Sequence, residues 1–137
     1  MEHMELKLLI GLHRVCNEID RRSSRIFTQY GLSLGQFAVL EALYHKGDLS
    51  VGQVQKKILS TSGTIPVIVS NLEKRGLLER LQDVTDKRKC LLHITEEGKK
   101  LVEEVFPENK KVIIDSMTNW SDEEKEQMLK ILKKFGE

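Results

Sequence analysis

Residues 60–94 constrain the fold more than any other part of the chain. They open with a cluster of helix-capping residues followed by Pro66, and proline is tolerated only in the first turn of a helix because it lacks an amide hydrogen. A helix must therefore begin within a residue or two of Ser62, and Gly76 ends it. Two short apolar runs follow, at 77–81 and 89–94, on either side of a polar loop. The segment thus predicts a helix followed at once by a two-stranded ribbon.

The helix predicted at 62–75 has two unlike faces. Its inward row is apolar and consists of Ile65, Ile68, Val69 and Leu72. Its outward row is polar, basic or methyl-bearing and consists of Pro66, Val67, Ser70, Asn71 and Lys74. Before it, residues 33–36 and 50–53 both have the Ser-x-x-Gln spacing of a capping box, which predicts two further helices. The order is therefore helix, helix, helix and ribbon, as in a winged helix-turn-helix.

Amphipathic segments flank this central unit on both sides. Residues 6–30 place apolar side chains at alternating steps of three and four, and Gly31 is expected to end this helix. Residues 121–124 have the pattern of a capping box, and the stretch up to 136 ends the chain with a second apolar stripe. Between them, a helix after Thr95 is expected to bury its apolar row, Phe106 included, and to kink or break at Pro107. The fold class predicted is mainly α with a small β-wing, in a single domain, 1–137. Its arms, 1–31 and 99–137, would dimerise around a lobe at 32–98.

Composition narrows the class of protein and its location. The 137 residues suffice for one domain, and the formal net charge of +1 says nothing about nucleic acid, because local clusters create the electrostatic footprint. No run approaches the roughly 18 apolar residues of a membrane span. The first residues include acids and lack a small-residue cleavage site. We therefore expect a cytoplasmic protein with no membrane partner.

Cysteines and histidines do not predict a cofactor or a metal site. Cys16 and Cys90 lack metal-binding spacing, and both are expected to be buried, reduced thiols, Cys16 in an apolar helix row and Cys90 on the inward strand face. A metal sensor would need further ligands, because His13, His45 and His93 fall on different elements. Redox sensing through Cys16 stays open as an alternative. No catalytic arrangement with a recognisable local signature is present, so an enzyme is not expected.

The outward row of the helix at 62–75 has the composition of a DNA-reading surface. Ser62, Thr64, Ser70 and Asn71 can hydrogen-bond phosphates or base edges, and Pro66 and Val67 can meet thymine methyl groups. The first amides of the helix would also favour a phosphate. The alternative is that Ser62 and Thr64 only cap the helix.

The loop of the ribbon supplies the second signal for DNA. Asp86-Lys87-Arg88-Lys89 places three cations at the tip, and Arg88 is the side chain expected to enter a narrow minor groove. Taken alone the loop would be an ordinary solvated turn. Its position, one hairpin after a capped helix of suitable length, favours the DNA interpretation. Lys56 and Lys57 extend the basic surface or form a solvated helix face.

Several motifs in order resemble the MarR (multiple antibiotic resistance regulator) family. They are Leu72-Glu73-Lys74-Arg75-Gly76-Leu77, then Asp86-Lys87-Arg88, then Ile94-Thr95-Glu96-Glu97-Gly98. The resemblance covers nearly the whole chain and implies a triangular homodimer on pseudo-palindromic double-stranded DNA, with repression relieved by a small ligand or by oxidation. It also implies that Asp86 orients the wing, which we expect it to do by pairing with a nearby arginine such as Arg80. Val67 and Gln55 depart from the family pattern, where a polar or basic residue and a small alanine are frequent.

Two functions remain open at this point. A DNA-binding repressor would keep its small-molecule effector in a cleft lined from helices 1, 2 and 5, whereas a winged helix can also serve as a protein-docking or dimerisation module without DNA binding. The first should lose duplex affinity steeply as salt rises, and the second should show no duplex affinity.

Overall fold

The computed structural model describes residues 3–58 and 64–136 and has the predicted fold class, mainly α with a small two-stranded sheet. The elements in chain order are α1 (Met4–Gln29), α2 (Leu34–Lys46), α3 (Val51–Lys57), α4 (Ile65–Lys74), β1 (Leu78–Gln82), β2 (Cys90–Ile94), α5 (Glu96–Ser116) and α6 (Asp122–Lys133). This is the order that the sequence predicted. None of these helices is long and apolar enough to cross a membrane.

Local capping chemistry determines where most helices begin. Ser33, Ser50 and Ser121 each accept a hydrogen bond from the backbone amide three residues on, and the side chain of that third residue accepts one from the backbone amide of the serine. Thr95 caps α5 by accepting from the Gly98 amide. At the other ends, Gly31 follows α1 and Gly76 follows α4 with positive φ angles of 69° and 74°. The predicted capping boxes and stops are confirmed.

The ribbon pairs its strands in an antiparallel register that runs from Leu78 opposite Ile94 to Gln82 opposite Cys90. Leu92 and Ile94 point into the core, as the period of two predicts. Cys90 shares their parity but is exposed, so its predicted burial is wrong. The reason is position, because Cys90 begins β2 at the loop end of the ribbon, where no helix covers it.

One hydrophobic core joins the lobe to the flanking helices. It contains side chains from every element from α1 to α5, and the rings of Phe27 on α1 and Phe37 on α2 stack with centroids 4.5 Å apart. Two polar residues are also buried, Ser23 on α1 and Asn109 on α5. The long helices α1 and α5 are therefore attached to the lobe by packing, which fixes how the lobe sits on them.

Helix α5 continues through Pro107 to Ser116, so of the kink or break expected there, a break is not observed. Val105 and Asn109, on either side of the proline, are both buried, and this packing offsets the hydrogen bond that proline removes. Phe106, which was expected to be buried, has 36% of its surface exposed because it lies beside the buried row and borders a cleft described below.

Exposed apolar side chains cover much of α1 and α6. On α1 they are Met4, Leu6, Leu8, Leu9, Ile10, Leu12 and Val15. On α6 and just beyond it they are Met128, Leu129, Ile131, Leu132 and Phe135. Cys16 lies in the same stretch of α1 and is exposed, so the predicted burial of its thiol does not hold in the single chain. The N-terminal half of α1 extends past the core, and nothing within the described chain covers it.

Candidate nucleic-acid interface

Helix α4 separates its residues into the two faces that the sequence predicted. Ile65, Val69 and Leu72 are buried and Ile68 is half-buried, which fixes the inner row against the core. Of the outward row, Pro66, Val67, Asn71 and Lys74 are exposed and Ser70 is half-buried. Val67 alone exposes 61% of its surface. The outward row thus combines methyl groups, an amide and an ammonium group on one accessible helix face.

The start of α4 differs from the prediction. The helix begins at Ile65, with exposed Thr64 as the N-cap residue and Pro66 in the first turn. Ser62, the first of the predicted DNA-contacting residues, lies outside the described residues.

The wing loop between β1 and β2 is ordered by its own hydrogen bonds. The amide of Asp83 donates to the carbonyl oxygen of Lys89 at 3.0 Å, and the side-chain amide of Gln82 donates to the carbonyl oxygen of Lys87 at 2.8 Å. Asp83 accepts from both the amide and the hydroxyl of Thr85, and these bonds lower the pKa of its carboxyl group. The loop therefore presents a defined tip.

Arg88 extends from this tip into solvent. Its side chain is 93% exposed, whereas that of Asp86 is only 32% exposed. Asp86 Oδ1 accepts from the backbone amide of Arg88 at 3.0 Å and from Arg88 Nε at 3.3 Å. Asp86 thus holds the backbone beneath Arg88, and the guanidinium remains available to an anion. Lys87 and Lys89 are exposed on the same loop.

Asp86 pairs with a nearby arginine, as expected, but that arginine is Arg88 and not Arg80. Arg80 Nε donates to Glu73 Oε1 at 3.2 Å, and Asp86 is paired with Arg88 instead. Arg80 lies in the middle of β1, next to the last turn of α4, so the carboxylate of Glu73 lies within its reach. This ion pair fastens the ribbon to α4.

A further attachment of the wing was not predicted. Nδ1 of His93 on β2 lies 2.7 Å from Oδ1 of Asp48, and Leu49 exchanges two backbone hydrogen bonds with Leu92. The connection between α2 and α3 therefore runs along β2 as a one-residue third strand. A cavity of about 400 Å³ lies beside it, lined by Asp48, Ser50, Gln53, Asp83, Lys89, Cys90 and Leu91. Lys56 and Lys57 are exposed on α3, which starts here.

A second cavity, of about 300 Å³, lies between α2 and α5. Its lining residues are Tyr44, His45, Val102, Glu103, Phe106 and Pro107. The sequence also led us to expect a contribution from α1, and none of these residues comes from that helix. The His45 ring meets Phe106 edge-on, with centroids 5.7 Å apart. This cleft, which we call the α2–α5 cleft, has aromatic walls.

The polar groups at the α2–α5 cleft are a phenol, an imidazole and a carboxylate. The hydroxyl of Tyr44 donates to Glu103 Oε2 at 3.3 Å. Desolvation, followed by the negative charge of Glu103, raises the pKa of the Tyr44 phenol, which stays protonated as a donor. In the described residues, no three histidine, cysteine, aspartate or glutamate side chains come together as metal ligands. The α2–α5 cleft places these few polar groups beside aromatic rings.

Comparisons with known proteins agree with this geometry. Residues 21–105 match the family described as transcriptional regulator SarA/Rot. The chain is 38% identical over 136 residues to the HTH-type transcriptional regulator MhqR of Bacillus subtilis (strain 168), covering 99% of this chain and 94% of that protein.

Two solved structures show the same fold over nearly the whole chain. A MarR family protein from Bacillus stearothermophilus is 27% identical with a TM-score of 0.75, over 98% of this chain and 94% of that one. Bordetella bronchiseptica BpsR, whose DNA binding is regulated by 6-hydroxynicotinic acid, is 25% identical with a TM-score of 0.85, over 96% and 99%. The chain therefore belongs to the MarR family of winged helix-turn-helix proteins, and it is a DNA-binding transcriptional regulator rather than an enzyme.

Proposed function

We propose that the chain is a cytoplasmic repressor that binds a pseudo-palindromic operator as a homodimer and is released by a small aromatic effector. Each protomer inserts α4 into the major groove and its wing into the flanking minor groove. The single observation that supports this most strongly is the pairing of an accessible polar face on α4 with a 93% exposed Arg88 on an ordered wing.

In this proposal the outward row of α4 reads the bases. Asn71 can make two hydrogen bonds to an adenine edge, Lys74 can reach a phosphate or guanine, and Val67 can pack on a thymine methyl. The remaining residues proposed to contact DNA from this part of the chain are Ser62, Thr64, Pro66 and Ser70. The side chain of Val67 cannot form hydrogen bonds, so at that position of the outward row the base is read by methyl contact.

The wing acts through charge and shape. Arg88 enters the minor groove, whose negative potential increases as it narrows, and Lys87 contacts the phosphates beside it. Asp86 has no direct contact with DNA and acts through the backbone of Arg88, to which it is hydrogen-bonded. Contacts of this kind stabilise the complex on any sequence with a suitably narrow groove.

The homodimer is supported by the uncovered apolar faces of α1 and α6. Exposed apolar patches of this extent on a small chain mark an association surface, and a second copy offers an identical patch. Two lobes related by a two-fold axis would hold their α4 helices about 34 Å apart, which is one turn of DNA. The operator is then a pseudo-palindrome.

The effector is proposed to bind in the α2–α5 cleft. A volume of about 300 Å³ is at the lower end of the range for small-molecule sites, and the aromatic walls with few polar groups are typical of them. 6-Hydroxynicotinic acid regulates the DNA binding of BpsR, which has the same fold. We therefore expect a planar molecule of one or two rings to bind here and to weaken operator binding.

Selection of binding sites from random duplexes tests the proposed function. The purified protein should enrich an inverted repeat with half-site centres one helical turn apart. Enrichment of no sequence, or of a single unrepeated site, would contradict the homodimeric operator model. Adding 6-hydroxynicotinic acid to the selected complex then tests whether an aromatic probe releases the DNA.

A further inference from the structure

The side chain of Arg75 bridges the C-terminal ends of α1 and α4. Its Nη1 donates to the carbonyl oxygen of Gly31 at 2.7 Å, and its Nη2 donates to that of Tyr30 at 3.4 Å. Arg75 is the C-cap residue of α4, and Tyr30 is the C-cap residue of α1. One guanidinium therefore joins the ends of two helices that lie more than 40 residues apart in the sequence.

This contact is charge-assisted at the α1 end. Carbonyl groups at the end of a helix lack intrahelical partners and bear partial negative charge. Helix α1 has no basic residue in its own last turn, so Arg75 of α4 supplies the positive charge there. A planar guanidinium on two adjacent carbonyl groups also restricts orientation, which an ammonium group on a flexible stem does not.

The same end of α1 also interacts with α5. The Tyr30 side chain is half-buried, and its interaction with the nearby carboxylate of Glu108 on α5 raises the pKa of its phenol. Arg75, Tyr30, Gly31 and Glu108 thus form one cluster, which we call the helix junction. It connects α4 directly to the two long helices that flank the lobe.

We propose that the helix junction sets the spacing of half-sites that the dimer accepts, with Arg75 as the positioning residue. The inference rests on the proposed function, because it requires two copies of α4 held by the dimerising arms. Arg75 does not touch DNA in this proposal and acts through the orientation of α4 relative to α1. One added base pair moves a half-site by about 3.4 Å and turns it by roughly 35°. A rigid junction penalises that change, and a loosened junction tolerates it.

The first test compares two operators, the selected one and the same operator with one base pair inserted between the half-sites. For the wild type, affinity falls on the longer operator. For Arg75→Ala we expect the ratio of the two affinities to shrink by about three- to tenfold, the range that corresponds to losing a charge-assisted hydrogen bond at an exposed site. Arg75→Lys keeps the charge without the fork, so its ratio should fall in between.

Two further variants and a stability measurement distinguish positioning of α4 by Arg75 from loss of charge or of stability. Arg88→Ala removes a proposed DNA contact and should lower affinity for both operators by the same factor. Tyr30→Phe keeps the ring and removes the hydroxyl that meets Glu108, so it should shrink the ratio in part. An Arg75→Ala protein that melts earlier but keeps the wild-type ratio would overturn the proposal, since Arg75 would then only stabilise the fold.

A second measurement does not depend on DNA. A spin label at Val67→Cys, in a chain with Cys16→Ser and Cys90→Ser, reports the distance between the two α4 helices of the dimer. The junction predicts a narrow distance distribution that broadens in Arg75→Ala and less in Arg75→Lys. An equally narrow distribution in all three proteins, or no inter-label distance at all, would overturn the proposal. If the wild type failed to bind any duplex, the proposed function would fail, and the distances would still decide the role of Arg75.

Discussion

Single side chains of the wing determine its proposed contact with DNA. Arg88→Ala removes the guanidinium whose side chain is 93% exposed, while the hydrogen bonds that order the loop stay in place. We expect operator affinity to fall by about tenfold or more, with no change in the unfolding temperature. Fluorescence-anisotropy titration measures the affinity.

Lys110→Ala is the matched control for Arg88→Ala. Lys110 is an exposed cation on α5, away from α4 and the wing, and its loss should leave the affinity within experimental error. Equal affinities for the wild type and Arg88→Ala would contradict the proposed contact of the wing with DNA.

The pH dependence of stability has one clear contribution from α1. Hydrogen bonds from Arg21 and then Arg22 lower the pKa of Glu18 from 4.5 to about 2. A pKa that is lowered by folding stabilises the protein above pH 4.5, and this contribution is lost as the pH falls from 4.5 towards 2. We expect carboxyl NMR titration to find this low pKa and Glu18→Gln to flatten that part of the stability curve. Because the group is exposed, added salt should raise the pKa. An NMR pKa near the ordinary value would contradict the arginine contacts.

The start of helix α5 depends on Gly98, because no side chain fits at that position. A Cβ on Gly98 would overlap the carbonyl oxygen of Leu77 and lie 2.7 Å from Cγ1 of Ile94. That carbonyl is held in place because it also accepts the Thr95 amide at 3.1 Å. We expect Gly98→Ala to lower the free energy of unfolding by about 1–3 kcal/mol, measured by urea denaturation.

Gly52→Ala is the control for Gly98→Ala. Gly52 lies in α3 with only Ser50 Oγ, at 4.0 Å, near the position of an added Cβ. Alanine there should raise the free energy of unfolding by about 0.5–1 kcal/mol. Similar effects of the two substitutions would show that the contact at Gly98 relaxes.

Elements could be predicted from the sequence where the determining chemistry is local. The Ser-x-x-Gln boxes, Gly31 and Gly76 act within a few residues, so their helices begin and end as expected. Pro107 shows the limit, because burial of side chains on either side of it keeps α5 continuous. The exposure of Cys90 was missed for the same reason, since it depends on which elements cover the ribbon.

Part of the candidate site could be predicted in the same way. The outward row of α4 follows from helical period, and the cationic wing tip follows from adjacent residues. The pair Asp48–His93 and the contact of Arg75 with Gly31 join residues more than 40 positions apart, and the pair Glu73–Arg80 joins a helix to a strand. No periodicity marks such contacts, and only the packed structure shows them.

The whole molecule is expected to be a dimer because its arms leave apolar surface uncovered. Leu9 on α1 and Leu132 on α6 expose 51% and 50% of their surfaces. A charge introduced at either position should be costly once a second copy covers it. We expect Leu9→Glu and Leu132→Glu to shift the protein to monomers in sedimentation equilibrium and to weaken operator binding.

Leu34→Gln is the control for these variants, because Leu34 exposes a similar 39% of its surface on α2, outside the arms. It should remain a dimer. A wild type that sediments as a monomer would contradict the proposed homodimer and its two-fold operator. Leu9→Glu and Leu132→Glu variants that stay dimeric would show that the interface lies elsewhere.

Titration of the selected operator at several salt concentrations tests the central claim most directly, namely that α4 and the wing of two protomers neutralise DNA phosphates together. With about six or more phosphate contacts per dimer, affinity should fall by about a thousandfold between roughly 50 and 200 mM salt. Arg88→Ala should reduce the slope by about one for each protomer. An affinity that does not change with salt, or no affinity for the duplex, would contradict the account.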